Sequence, residues 1–146
     1  MTALELLALL IFCHFVADYP MQGHFVAMGK NRMHPLPGTP WYQILLAHAV
    51  MHGGMVAGGV ALAAFSGHPE LFPLVLPLAV SEAACHWLID GWKCRREVSL
   101  RDVEDAREAE RSRILAYNTD QALHFSCKVL WTGVCYAVAA MPLVLR

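Results

Sequence analysis

Four apolar blocks alternate with polar connections along the chain. Trp41 to Phe65 holds no Asp, Glu, Lys or Arg, and it is long enough for a helix that spans a bilayer with some tilt. Ala122 to Leu145 carries one formal charge, Lys128, and Leu71 to Ile89 carries one, Glu82. Leu4 to Ala17 is the shortest block and needs Tyr19 and beyond to complete a span. The pattern predicts helices over Thr2–Tyr19, Trp41–Phe65, a stretch from Leu71 with Pro73 and Pro77 in its first turns, and a last one from between Ile114 and Gln121 to Leu145. Pro20 ends or kinks the first, and Met21–Pro40, rich in Gly and Pro, reads as a loop. The fold class expected is all-α: an integral membrane four-helix bundle in a single domain, 1–146. A soluble bundle is the weaker alternative at these lengths.

Inside the blocks the polar positions repeat. Cys13-His14-x-x-x-Asp18 recurs as Cys85-His86-x-x-x-Asp90, almost half the chain further on, and at the same offset His48 meets Asp120 and His52 meets His124. Residues four apart share one helix face. The chain therefore reads as two pseudo-repeated helical hairpins, about 1–73 and 74–146. Gly54-x-x-x-Gly58, with Gly53 and Gly59, reads as a close-packing face.

Composition agrees with a bilayer. Apolar residues make up 57% and charged ones 16%, against about 25% charged in soluble domains. The N-terminal block lacks the basic flank and small-residue cleavage site of a signal peptide, so it is kept as a helix. Five cysteines, an odd number without zinc-ribbon spacing, read as packing residues. Lys and Arg gather after the first and third blocks, at Lys30 and Arg32 and then in 94–113. The positive-inside rule then puts both connections in the cytoplasm and both termini outside, in a multi-pass inner-membrane protein. His14, Asp18, His48, His52, His86, Asp90, Asp120 and His124 all fall at one depth near the cytoplasmic side. Residues 94–113 carry six arginines and six acids; they read as a charged cytoplasmic loop, with a Ser99–Asp102 capping box before a short surface helix. Zero net charge there excludes a nucleic-acid patch and leaves a place for a cytoplasmic protein partner; self-association is left open.

Ionisable groups in a membrane are expensive and face the bundle interior. Eight at one level need a hydrogen-bonded network or a metal. Imidazole and carboxylate suit a divalent ion such as Zn, Mn or Fe, and five histidines with three carboxylates match a two-metal site. Asp18, Asp90 and Asp120 are the candidate catalytic bases, some of them orienting ligand histidines instead. One His-x-x-x-Asp pair alone is more often a structural hydrogen bond, so a proton pathway and plain packing stay in view. Glu82 and Lys128 extend the stripes deeper, as an ion pair or as locally paired groups. Lys93 is expected to snorkel, and Gln22 and Gln121 to orient a ligand or water. His68 reads as a solvated turn residue. Trp41, Tyr42, Trp87 and Trp92 read as interface aromatics.

His14-Phe15-Val16-Ala17-Asp18-Tyr19-Pro20-Met21-Gln22, Lys30-Asn31, His48 and His52, His86-Trp87-Leu88-Ile89-Asp90 with Lys93, and Asp120-Gln121-Ala122-Leu123-His124 occur in an order that resembles a bacterial and phage membrane-protein family known as domain of unknown function 3307. The resemblance covers nearly all the chain except Cys94–Arg113. It implies a small membrane protein with polar helix residues and brings no activity, so function rests on the site. The candidates are a metal-dependent hydrolase acting on a membrane-associated substrate, an oxidative di-iron enzyme (His48-x-x-x-His52 is similar to the histidine pairs of membrane desaturases), a proton or metal-ion conduit, and a scaffold that recruits partners through 94–113.

Overall fold

The computed structural model describes residues 1–32 and 37–141. These form α1 (Ala3–Asp18), α2 (Gly23–Gly29), α3 (Trp41–Phe65), a 3-10 turn (Pro69–Leu74), α4 (Val75–Ser99) and α5 (Ala106–Ala139), with no strand among the described residues. Pro35, Arg146 and the predicted end of the last helix at Leu145 lie outside them.

Each helix starts where local chemistry allows. Thr2 and Glu5 form a capping box at α1: Thr2 Oγ1 accepts from the Glu5 amide at 3.2 Å and Glu5 Oε2 from the Thr2 amide at 2.7 Å. Pro20 cannot continue α1, and Gly23 turns the chain at φ +57°. The axis of α2 is bent 86° from α1. The Met21–Pro40 loop expected from its glycines and prolines thus contains a helix, nucleated by the unbroken run His24 to Met28. Pro77 sits in the first turn of α4, where its missing amide has no partner to lose.

The charged stretch also departs from expectation. Residues 94–99 continue α4 and 106–113 open α5, leaving only 100–105 as connection. Arg, Glu and Ala are good helix formers without any apolar face, so loss of hydrophobicity did not mark the helix ends. Asp105, not Ser99, is the cap: its Oδ1 accepts from the Arg107 amide at 2.8 Å. Ser99 Oγ instead donates back to the Arg96 carbonyl at 2.7 Å.

The four long helices pack in a ring, α1 on α3, α3 on α4, α4 on α5 and α5 on α1, with the α3–α4 seam the most extensive. Gly53 makes that seam possible, since a Cβ there would lie 2.5 Å from the Ala79 carbonyl oxygen. Gly59 faces Leu10 and Cys13 of α1. The predicted Gly54/Gly58 face points outward into open space; the packing glycines are one residue off on each side.

Three helical stretches are long and apolar enough to cross a membrane, Trp41–Phe65, Pro69–Ser99 and Ala106–Ala139, and α1 with α2 passes as a bent pair. Large apolar side chains such as Phe12, Val50, Leu76, Val80, Leu88, Val129 and Leu130 face outward. Inside, one end of the ring is an apolar plug of Leu6, Leu10, Val56, Val60, Leu78, Trp131 and Cys135. The other end is polar. Apolar outside and ionisable inside is the arrangement a lipid environment favours.

Candidate metal centre

Four-residue spacing builds the site. Glu82, His86 and Asp90 form one stripe on α4, and Asp120, His124 and Lys128 another on α5; all six are buried. His14 and Asp18 end α1, and His48 and His52 face them from the first half of α3. The eight residues singled out by the repeat therefore meet in one cluster. Seven are buried, and Asp18 is the most open, with 19% of its side chain exposed.

His86 is the hub. Its ring stacks on His52 at 3.6 Å and on His124 at 4.2 Å, with His48 at 4.9 Å and His14 at 5.8 Å. Asp18 gathers one side of the cluster: Oδ1 lies 3.2 Å from His52 Nε2 and 3.3 Å from His48 Nε2, and Oδ2 lies 3.1 Å from His14 Nε2. Asp90 gathers the other, with Oδ1 3.4 Å from His124 Nε2 and Oδ2 3.6 Å from His86 Nε2.

Three lysines enter the same region. Lys30 donates to Asp90 Oδ2 at 2.9 Å, Lys93 to Asp120 Oδ2 at 3.0 Å, and Lys128 to Glu82 Oε1. Trp131 Nε1 donates to the second Glu82 oxygen at 2.7 Å. Four carboxylates thus meet three ammonium groups. Asp18 is the carboxylate left without a lysine among the described residues, and three imidazoles converge on it.

Hydrogen bonds leave much of this arrangement unpaired. His48 Nε2 accepts from the Lys30 ammonium at 2.9 Å, so it does not also donate to Asp18 Oδ1, 3.3 Å away; that oxygen has His52 Nε2 at 3.2 Å as its hydrogen-bond partner. Both ring nitrogens of His14 and of His86, Nδ1 of His48 and of His124, and Asp120 Oδ1 are buried with no hydrogen-bond partner among the described residues. Each such atom costs about 1–3 kcal/mol if it stays unpaired. A cation would give such lone pairs a partner. Ligand atoms lie within 4.8 Å of one another in three sets: Asp18, His48, His52 and His86; His14, His52, Glu82 and His86; and His86, Asp90 and His124.

The Glu82–Lys128 ion pair was one reading of the spacing and is present; the places of Lys30 and Lys93 are what spacing alone did not show. Lys30 read as a loop charge, yet α2 and its cap bring it to the cluster, with Cys94 Sγ 3.4 Å from its carbonyl and Asn31 donating to Glu97 at 2.8 Å. Lys93, expected to snorkel, is tied to Asp120, and Gln121 donates to the same oxygen at 3.1 Å. With its amide turned to match its neighbours, Gln22 donates to the Asp18 carbonyl at 2.7 Å and accepts from Lys30 at 3.1 Å. Trp131 continues the α5 stripe one turn beyond Lys128 and was legible only by that spacing. His68 is tied rather than free, 2.8 Å from the N-terminal amine.

The model of a family described as protein of unknown function (DUF3307) matches residues 6–145. The chain belongs to the DUF3307 family. The match spans all eight cluster residues and the three lysines of this DUF3307 protein, and it bears out the resemblance drawn from the motifs. No curated protein and no solved structure matches it.

Proposed function

We propose that this DUF3307 chain is an inner-membrane metalloprotein that holds a divalent cation, Zn, Mn or Fe, on Asp18, His48, His52 and His86 and hydrolyses a membrane-associated substrate. The observation that carries it is the Asp18 carboxylate, which has no ammonium partner among the described residues and stands among imidazoles, several of whose buried nitrogens have no hydrogen-bond partner. One ion is favoured over the two expected from the ligand count. The three ligand sets all draw on His86, and lysines already neutralise Asp90, Asp120 and Glu82. His14, His124 and Asp90 then orient and hydrogen-bond the ligand side chains.

A bound ion supplies a water of lowered pKa at neutral pH. Asp120 is the base that suits such a water: Lys93 and Gln121 fix its Oδ2, while Oδ1 is buried, unpartnered and 3.6 Å from His124 Nε2. Asp90, clamped by Lys30, fits a positioning role. The charge distribution supports a cytoplasmic location for this end of the ring and outside termini. Equivalent contacts support the two-hairpin repeat: His52 Nε2 to Asp18 Oδ1 at 3.2 Å is matched by His124 Nε2 to Asp90 Oδ1 at 3.4 Å. A conduit has less support, because the polar column ends on the apolar plug below Glu82 and Lys128. The charged ends of α4 and α5 remain the place we assign to a cytoplasmic protein partner.

Metal content of detergent-purified protein tests the centre. About one equivalent of Zn, Mn or Fe is expected in the native protein and none in Asp18→Asn or His86→Ala. Native protein purified without chelator and free of metal would sink the metalloenzyme and turn attention to the network as a proton store.

A further inference from the structure

Above the cluster lies an open vestibule of about 180 Å³. Asp18, Asp90, Asp120 and His124 of the cluster line it together with the donor-bearing Tyr19, Gln22, Lys30, Lys93, Tyr117 and Gln121, called the rim. The rim elements come from opposite sides: Tyr19 and Gln22 follow α1, Lys30 caps α2, and Tyr117 and Gln121 belong to α5. Lys93 Nζ also stands over the Tyr117 ring, 5.4 Å from its centroid.

We propose that the vestibule receives a phosphoryl oxyanion; this rests on the metal centre proposed above. Without an ion, three carboxylates outweigh two ammonium groups and the vestibule repels anions. A divalent cation reverses that balance, and the donor rim then suits a ligand whose oxygens only accept. Lys30 has a specific part. Its ammonium now leans on Nε2 of His48, a residue of the proposed ligand set, and on Asp90. When the ion takes His48, Lys30 gives up that contact and, still paired to Asp90, has an N–H to offer the vestibule, 16% of its side chain being already exposed. An ammonium ligand would be repelled by both lysines, and a neutral polyol would accept their hydrogen bonds without meeting their charge.

Two sources present such a group, a lipid headgroup and free phosphate. The chain beside the vestibule suits the first: Tyr19, Met21 and Phe25 expose 66%, 47% and 59% of their surface along the bent α2 segment, as a short helix lying in the headgroup layer would.

The experiment is equilibrium binding to detergent-purified protein whose metal content is measured in the same sample. The probes are inorganic phosphate and short-chain phosphatidic acid. Binding is expected only in metal-loaded protein, weakened at least about tenfold by the double variant Lys30→Gln/Lys93→Gln with the metal retained. Should that variant fold poorly, Tyr117→Phe leaves every ion pair intact and is expected to weaken binding about threefold. Tighter binding of phosphatidic acid than of phosphate identifies a lipid headgroup as the source; equal binding identifies a soluble phosphate, and either supports the proposal. Metal-loaded protein that binds neither probe, or binds both unchanged in the variants, overturns it while leaving the metal centre standing. Metal-free native protein overturns both.

Discussion

The pair α1 and α3 and the pair α4 and α5 carry the same kind of polar residue at matching positions, and they differ in how those residues are neutralised. On α4 and α5, Asp90, Asp120 and Glu82 each have an ammonium partner. On α1 and α3, the partners of Asp18 among the described residues are imidazoles. One turn deeper the contrast sharpens: Glu82 and Lys128 stand where the other pair has Leu10 and Val56. The α4–α5 side is closed in charge, each carboxylate having its ammonium partner, although His86, His124 and Asp120 still carry unpartnered atoms there. The α1–α3 side is open in charge at Asp18, and that is where a bound cation would count most.

The largest break comes from the closed side. Lys128→Met leaves Glu82 buried without its ammonium partner, with only Trp131 Nε1 and, at 3.8 Å, His86 Nδ1 beside it, and is expected to destabilise the protein by about 3–5 kcal/mol. Adding Glu82→Leu recreates the apolar pairing of the other half and should recover most of that loss. Denaturant unfolding in detergent measures both. A double variant no more stable than Lys128→Met would mean that the ion pair does more than neutralise charge, and the comparison between halves would lose its basis.

Asp18→Asn against Asp120→Asn probes the open side. The first removes the carboxylate that has no lysine and should abolish metal binding. The second should keep the metal, since Asp120 is held by Lys93 and Gln121 and belongs to none of the three ligand sets, and lose activity. Equal metal loss in both would refute the asymmetry; mass spectrometry of the purified variants reads it directly.

How much of this the chain announced depends on range. His14, His48, His86, Asp120 and the other cluster residues were legible because four-residue spacing on a helix is a local rule, and the constant offset of almost half the chain tied two such rules together. Lys30 was not, because its approach depends on an 86° bend after Pro20 that no local rule sets. Trp131 and Glu82 became partners only when α4 met α5. The helix ends at 94–113 were hidden for another reason: hydropathy reports burial, and these turns are helical while solvated.

The glycines give a smaller and purely steric contrast. Gly53→Ala places a methyl 2.5 Å from the Ala79 carbonyl oxygen and must open the α3–α4 seam, at an expected cost of about 1–3 kcal/mol. Gly54→Ala meets open space and should stabilise α3 by about 0.5–1 kcal/mol, as in any exposed helix interior. Thermal unfolding of the two variants side by side distinguishes the seam from the lipid-facing surface.

The smallest effect concerns the one place where α5 outgrows α3. By the offset that pairs His48 with Asp120, Trp41 at the start of α3 corresponds to Arg113, yet α5 already begins at Ala106. The Asp105 cap supports those extra turns through the Arg107 and Glu108 amides at 2.8 and 3.4 Å. Asp105→Ala is expected to lower stability by about 1 kcal/mol and to fray the first turns of α5, read as a loss of helical circular dichroism with metal content unchanged. The extension lies beyond the cluster, so its fraying should not reach the ligands. Metal loss in Asp105→Ala would mean that the charged helix ends govern the centre, and a partner docking there would then control it.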